Sequence, residues 1–173
     1  WGFFSGPAKD GTEFAGSQDL ARSERFSEKF SFTAPNLTPH HLAGWTDGEV
    51  ARAIVFGQSK DGRGLFPYMP YFEYRDALAR DDLSALVAFL RTLPAKPWQA
   101  PGAPRFPMPG FVLNGFPEAR ALREKAPQPG APGYGRYLTE IAGCMGCHTR
   151  ADKRGTPVGA PYAGGREFRV PAP

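Results

Sequence analysis

The sequence predicts an all-α protein in which short helices are joined by long loops. Its 173 residues include 19 prolines and 21 glycines, which interrupt the chain too often for long regular elements. No segment alternates polar and apolar residues cleanly enough to predict a strand, whereas apolar residues recur three and four apart in several places. The 14 phenylalanines indicate a packed interior all the same. The length permits one domain or two small ones.

Two helices are predicted in the first half of the chain. Thr46 and Glu49 form a capping box, so a helix should begin there and continue to Gly57. A second helix should be capped by Asp81 or Asp82, because apolar residues then recur at helical spacing until a proline stops the pattern.

Two more helices are predicted in the second half. The third should run from Glu118 to about Lys125, after a proline suited to a first helical turn. The fourth should run from about Gly133 to Ala142 and lead directly into the two cysteines of the chain.

A proline-rich stretch separates these halves and indicates two modules. Such a stretch is stiff and extended. Its aromatic residues indicate that it lies against a module surface; they are Trp98, Phe106, Phe111 and Phe116. The predicted organisation is a first module over residues 1–94, a connector over 95–132 and a second module over 133–173.

The most specific motif is Cys144–His148, with the sequence CMGCH, which holds the only two cysteines. C-x-x-C-H is the spacing that attaches c-type haem: Cys144 and Cys147 can add to the two vinyl groups, and His148 is then the proximal axial ligand of the iron. A zinc site would need further ligands, and the only other histidines, His40 and His41, are adjacent to each other. A thioredoxin-like dithiol would need a βαβ context. Haem attachment is therefore favoured over these two alternatives.

Charge and hydropathy restrict the partners and the location. The net charge is +4, with no basic run, which argues against nucleic acid and suits an acidic redox partner or a membrane surface. No apolar run approaches the roughly 18 residues of a membrane span, so no transmembrane segment is expected. Since haem is attached to such motifs outside the bacterial plasma membrane, we expect a periplasmic location or one at the outer face of that membrane, with or without a membrane complex.

Several segments resemble the bacterial diheme c-type cytochromes. In the first module these are residues 36–39 (NLTP), 44–49 (GWTDGE), 61–71 (DGRGLFPYMPY) and 86–94 (LVAFLRTLP). In the second module they are residues 135–138 (GRYL), the cysteine motif and residues 163–168 (AGGREF). The resemblance implies cytochrome c-like modules whose short helices and loops wrap around covalently attached haem.

The resemblance also assigns roles to individual residues. Met69 matches the distal axial ligand, a thioether that favours Fe(II). The carbonyl of Pro161, or alternatively that of Pro157, could accept a hydrogen bond from Nδ1 of His148. Candidates for contacts with haem propionates, each with plain packing or solvation as the alternative, are Arg63, Tyr68, Tyr71, Trp45 and Arg166.

The order of the motifs departs from that family. A complete module has its cysteine motif first, whereas here Met69 precedes Cys144. The favoured explanation is a piece of a longer diheme protein, lacking the first C-x-x-C-H and the distal half of the second module, so that Met69 serves a second haem. The alternatives are a permuted single module, in which Met69 completes the haem on Cys144 and Cys147, and missing halves supplied by a partner chain.

The function implied is electron transfer and not catalysis. The resemblance implies a relay between a dehydrogenase or a quinol-oxidising complex and a terminal oxidase or soluble cytochrome. The alternatives are a peroxidase-like haem enzyme with an open distal site and a haem-bearing docking subunit of a larger redox complex.

Overall fold

The regular structure is helical. The computed structural model describes residues 11–16, 33–65, 69–98, 121–153 and 156–167, and within these ranges only three isolated bridges add to the helices. The helices are α1 (Pro39–Leu42), α2 (Asp47–Phe56), α3 (Tyr71–Ala77), α4 (Arg80–Thr92), α5 (Pro132–Ile141) and α6 (Cys144–His148). None of these six has the length and apolar character needed to cross a bilayer. The predicted all-α class is confirmed.

Helix α2 begins and ends as predicted. The backbone N–H of Glu49 donates to Oγ1 of Thr46 at 3.2 Å, and the N–H of Thr46 donates to the Glu49 carboxylate at 2.7 Å. This reciprocal pair satisfies two donors that a helix start otherwise leaves exposed. At the other end Gly57 adopts a left-handed conformation with φ of 60° and terminates the helix.

Helix α4 lacks the cap that the sequence predicts. It begins at Arg80 with Ala79 as N-cap, so the assignment of Asp81 or Asp82 to that position is wrong. The helix start is satisfied by distant groups, since the N–H of Arg80 donates to the carbonyl of Arg123 at 2.8 Å. Both aspartates lie in the first turn, where their charge still favours the helix dipole.

The helix predicted from Glu118 to Lys125 is wrong over its described part, because residues 121–125 are not helical; its first residues lie outside the described ranges. The backbone here bonds outward: Arg123 accepts from Arg80, and the N–H of Ala126 donates to Asp81 at 3.2 Å. The fourth prediction is confirmed to within one residue at each end, since α5 spans Pro132–Ile141.

One hydrophobic core joins the early helices and the later segments. Its buried members come from α1, α2, α4 and the turn before α4: Leu42, Val50, Ile54, Val55, Leu78, Leu83, Val87 and Leu90. Leu122 and Ile141 pack against this cluster, although they lie in the predicted connector and second module. Helix α5 also packs against α3. The segment leading into the cysteines is therefore part of the same packed body as the first helices.

Asn36, supported by Thr38, holds the chain after α4 through hydrogen bonds. Asn36 is 3 % exposed, and its amide donates to the carbonyls of Lys96 and Trp98, both at 2.8 Å. Its amide oxygen accepts from the N–H and the hydroxyl of Thr38. Four satisfied hydrogen bonds explain why an amide can be buried at this position. The Trp98 ring lies against Gly16, so this described part of the proline-rich stretch contacts the earlier chain.

Candidate haem-attachment site

A left-handed glycine turns the chain from α5 into the cysteine motif. Helix α5 ends at Ile141, and Gly143, with φ of 64°, precedes α6. A Cβ atom at Gly143 would lie 3.7 Å from Cγ of Glu73 on α3, which is ordinary contact. Backbone conformation, more than space, therefore favours glycine here.

The two thiols lie on one side of a single helical turn. Cys144 and Cys147 are three residues apart within α6, and residues at this spacing share a helix face. Both are free thiols; Cys144 is half-buried and Cys147 is exposed. His148 ends the helix and is exposed. Two adjacent sulfurs and a neighbouring imidazole are thus accessible to one planar ligand.

The segment after the motif folds back and forms hydrogen bonds to the end of the motif. The N–H of Gly164 donates to the carbonyl of His148 at 2.6 Å, within a parallel bridge between Thr149 and Gly164. The N–H of Tyr162 donates to the hydroxyl of Thr149 at 3.0 Å, and Thr149 is 2 % exposed. These bonds fix the backbone beside His148 through residues that are far from it in sequence.

Arg166 forms a hydrogen bond to the middle of the motif. Its guanidinium donates to the carbonyl of Gly146, between the two cysteines, at 2.7 Å. The sequence suggests Arg166 as a propionate contact; in the structure it holds the cysteine turn. Pro161 is exposed, and within the described ranges no hydrogen bond joins it to the His148 imidazole. Its role toward the imidazole stays a prediction.

The elements that carry the motif expose several apolar side chains. Four side chains on them are between 41 and 51 % exposed: Leu138, Met145, Val158 and Tyr162. Exposed apolar residues on neighbouring elements are typical of a surface that a ligand covers. Together with two thiols and an imidazole, this surface fits a covalently attached porphyrin, so the residues present suit haem c.

Met69 lies next to the helix against which the motif-bearing helix packs. It is half-buried, contacts the hydrophobic core, and its carbonyl accepts from the N–H of Tyr71 at 2.8 Å at the start of α3. Helix α5 packs on this same α3. The structure thus brings the Met69 segment and the cysteine motif onto neighbouring elements; whether Met69 binds iron stays a prediction.

Tyr71 is a packing residue in this structure. It is 2 % exposed, and its ring lies against Gly57 and 4.5 Å from the ring of Phe72. Burial raises the pKa of its phenol. These contacts favour the packing alternative over a propionate contact.

The remaining candidates are placed at different depths. Trp45 is half-buried against the core, and its carbonyl accepts from Arg91 at 2.6 Å. Arg63 is exposed, and its backbone N–H donates to Asp61 at 3.2 Å, the main reason that the pKa of Asp61 is lowered. Tyr68 lies outside the described residues.

Tyr137 joins the motif-bearing helix to α4, and the sequence does not predict this contact. Tyr137 is 1 % exposed, its hydroxyl donates to the Asp82 carboxylate, and the N–H of Ala79 donates to the same hydroxyl at 3.3 Å. Burial, and then the hydrogen bond to Asp82, raise the pKa of Tyr137 to about 12. The phenol is therefore neutral and able to donate at physiological pH.

This pKa predicts a loss of stability in alkali. An unfolded tyrosine titrates near 10.0 and the folded one at about 12, so the stabilisation is complete below the lower value and is lost as pH rises through the higher one. We expect the unfolding free energy of the wild type to exceed that of Tyr137→Phe by a constant amount from neutral pH to about 10, and the difference to shrink toward pH 12. Urea unfolding of both proteins measures it. A difference that stays constant up to pH 12 would contradict the assignment.

Comparison with known proteins gives a consistent set of relatives. The chain is 32 % identical over 143 residues to a diheme cytochrome c-type protein of Cereibacter sphaeroides. It is 29 % identical over 153 residues to the gluconate 2-dehydrogenase cytochrome c subunit of Pantoea cypripedii, and 28 % over 175 residues to the fructose dehydrogenase cytochrome subunit of Gluconobacter japonicus. These relatives support a cytochrome c family for the chain. No protein-family model matches it.

The relatives are longer than the matched region. The alignments cover 75, 82 and 92 % of this chain, but only 47, 33 and 34 % of the three relatives. The chain thus spans about half the length of the first cytochrome c relative and a third of the other two.

Proposed function

We propose that this protein transfers electrons through covalently attached haem c and does not itself catalyse a substrate reaction. The observation that carries the proposal is the site itself: two thiols on one helical turn, an exposed imidazole directly after them, and exposed apolar side chains on the elements that carry them. The names of the relatives, which are cytochromes and cytochrome subunits of dehydrogenases, support the same function.

The residues would hold the haem in complementary ways. Cys144 and Cys147 would form the two thioether bonds, and His148 would bind the iron from the proximal side. Bound haem supplies an iron that accepts and returns a single electron. The bonds from Gly164 to His148 and from Arg166 to Gly146 hold the backbone of the motif in place. Such a fixed backbone would limit movement of His148 when the charge of the site changes.

We further propose a diheme relay of two modules, with Met69 as the distal ligand of a second haem. The motif around Met69 and the greater length of the relatives support this view. The proposed division remains residues 1–94, a connector over 95–132 and a second module over 133–173. Trp45, Arg63 and Tyr68 would then lie near the haem of the first module, whereas Tyr71 packs in the core.

The proposed setting is the periplasm or the outer face of the bacterial membrane. Two relatives are named as cytochrome subunits of gluconate and fructose dehydrogenases, so a dehydrogenase is the proposed donor. A respiratory complex or a soluble cytochrome is the proposed acceptor. The net charge of +4 would favour docking on an acidic surface of such a partner.

The test combines haem content with ligand binding. Purified chain, expressed where haem attachment occurs, is analysed by intact mass and by the pyridine haemochrome assay, then reduced with dithionite and exposed to carbon monoxide. We expect covalent haem that is reversibly reduced and reoxidised. One haem is expected on the 18.8 kDa chain under every explanation, because the chain holds one C-x-x-C-H motif, whereas two haems on a heavier natural chain would support the relay. In the heavier natural chain, tight carbon monoxide binding at every reduced haem would contradict a simple carrier and favour an enzyme with an open distal site.

A further inference from the structure

The start of α4 depends on groups that come from later parts of the chain. Its N-cap is Ala79, which has no side-chain oxygen to accept a hydrogen bond. The N–H of Ala79 instead donates to the hydroxyl of Tyr137, and the N–H of Arg80 donates to the carbonyl of Arg123. Two backbone N–H groups at the start of α4 thus find their acceptors in two later segments of the chain, which lead to the cysteine motif.

Tyr137 is the central contact of this junction. Its hydroxyl acts both as a hydrogen-bond acceptor, from the N–H of Ala79, and as a donor, to the carboxylate of Asp82. Hydrogen bonds to charged groups are about twice as strong as neutral ones. Since Tyr137 is 1 % exposed, separation of the two helices would expose its ring and leave the N–H of Ala79 without this acceptor.

Charged side chains lie around the contact between Tyr137 and α4. The guanidinium of Arg123 lies 5.6 Å from the centroid of the Tyr137 ring, a cation–π distance. Arg123 also lies 4.0 Å from Glu140, one turn beyond Tyr137 on α5. Arg80 and Glu124 form an ion pair at 3.3 Å across the same boundary. These exposed pairs contribute little individually, so we assign the main effect to the buried tyrosine.

We propose that Tyr137 is a positioning residue that locks the helix bearing the haem-attachment motif onto the start of α4, so that the motif and the first module move as one rigid body. Only Ala142 and Gly143 separate α5 from the first cysteine. A fixed α5 therefore fixes the position of the attachment site relative to α3, α4 and Met69. Resting on the proposed function, this inference names the residue that holds the haem of the motif at a constant distance from the first module.

The test compares Tyr137→Phe with Tyr134→Phe in the haem-loaded protein. Tyr134 lies on the same helix, and its ring is 6.4 Å from that of Tyr137, so it is a matched control. The first measurement is the set of pseudocontact shifts that oxidised haem induces on the backbone amides of α4, with the reduced protein as reference. The second is hydrogen exchange of the Ala79 amide, with the Val87 amide in the middle of α4 as an internal standard.

We expect Tyr137→Phe to reduce the pseudocontact shifts across α4, because the haem would then occupy a range of positions. Exchange of the Ala79 amide should accelerate about tenfold, the factor that corresponds to loss of a hydrogen bond of about 1.4 kcal/mol. Val87 exchange should stay unchanged, and Tyr134→Phe should behave as the wild type. If Tyr137→Phe does not fold, Asp82→Ala is the second variant: it removes the acceptor of the Tyr137 hydroxyl and keeps the acceptor of the Ala79 amide, so it should reduce the pseudocontact shifts with a smaller change in Ala79 exchange.

The possible results separate the two proposals. Unchanged pseudocontact shifts and unchanged Ala79 exchange in Tyr137→Phe would overturn the positioning role while leaving electron transfer intact. If even the wild type shows no haem-dependent shifts, the proposed function fails, and Ala79 exchange, which needs no haem, still decides whether Tyr137 locks the helices.

Discussion

Replacing Cys144 and Cys147 together by serine should abolish covalent haem attachment completely. Serine keeps the size and the helical turn but cannot form the thioether bonds, so no haem should remain on the chain after denaturation. The measurement is haem staining after denaturing electrophoresis, together with the pyridine haemochrome assay. The apolar surface around the motif could still hold haem loosely, which is why the denaturing step is required.

Met145→Leu is the matched control for this experiment. Met145 lies between the two cysteines in the same helix and is 43 % exposed, but the attachment chemistry does not use it. This variant should retain haem at the wild-type ratio. Metal analysis of the wild type covers the alternative that the sequence leaves open: stoichiometric zinc without haem would identify the motif as part of a metal site and contradict haem attachment.

Substitution of Gly57 by alanine should cause a large loss of stability. The residue has φ of 60°, and a Cβ atom there would lie 2.5 Å from Cε1 of the Tyr71 ring. Backbone strain of about 1 kcal/mol and displacement of a buried ring, about 1–3 kcal/mol, should add. We expect the unfolding free energy in urea to fall by about 2–4 kcal/mol.

Gly62→Ala separates the two causes. Gly62 has φ of 83°, but a Cβ atom there would meet nothing within 4 Å. Only the backbone term applies, so the expected loss is about 1 kcal/mol. Equal losses at the two positions would show that the Tyr71 ring can move without cost. Because Tyr71 begins α3 two residues after Met69, the same comparison reports how firmly the Met69 segment is held.

Local sequence signals predict the helices whose ends are determined by their own residues. Thr46 and Glu49 start α2 and Gly57 ends it. Each acts through contacts with residues no more than four positions away, so the local sequence is enough to predict this helix. Helix α5 is likewise predicted to within one residue at each end by its apolar spacing. The short α1, α3 and α6 are not predicted, because four to seven residues carry too little periodic information.

The start of α4 and the segment at 121–125 are predicted wrongly for a common reason. Two aspartates next to a helical pattern are ordinary capping signals. In the folded chain the carbonyl of Arg123 and the hydroxyl of Tyr137 provide those hydrogen bonds from more than 40 residues away. A local pattern holds no information on such groups. Once Arg123 bonds to α4, its own segment no longer needs a helix to satisfy its backbone.

The site shows the same division. The spacing of Cys144, Cys147 and His148 is enough to predict haem attachment, because the linkage requires two thiols at this spacing and an adjacent imidazole. The sequence does not predict the hydrogen bonds of Gly164 and Arg166 to the motif. Nor does it predict the bond between Tyr137 and Asp82. They join residues that are 16 to 55 positions apart, and only the folded chain brings them together.

The sequence by itself therefore determined the helical class, the attachment motif and the resemblance to cytochromes, since each depends on residue types at short fixed spacings. The tertiary structure alone decided that the motif-bearing helix packs onto α3, that Tyr71 serves the core, and that the start of α4 is completed by distant groups. The physical reason is that burial and hydrogen bonding between remote segments outweigh local preference whenever a polar backbone group would otherwise be left unsatisfied.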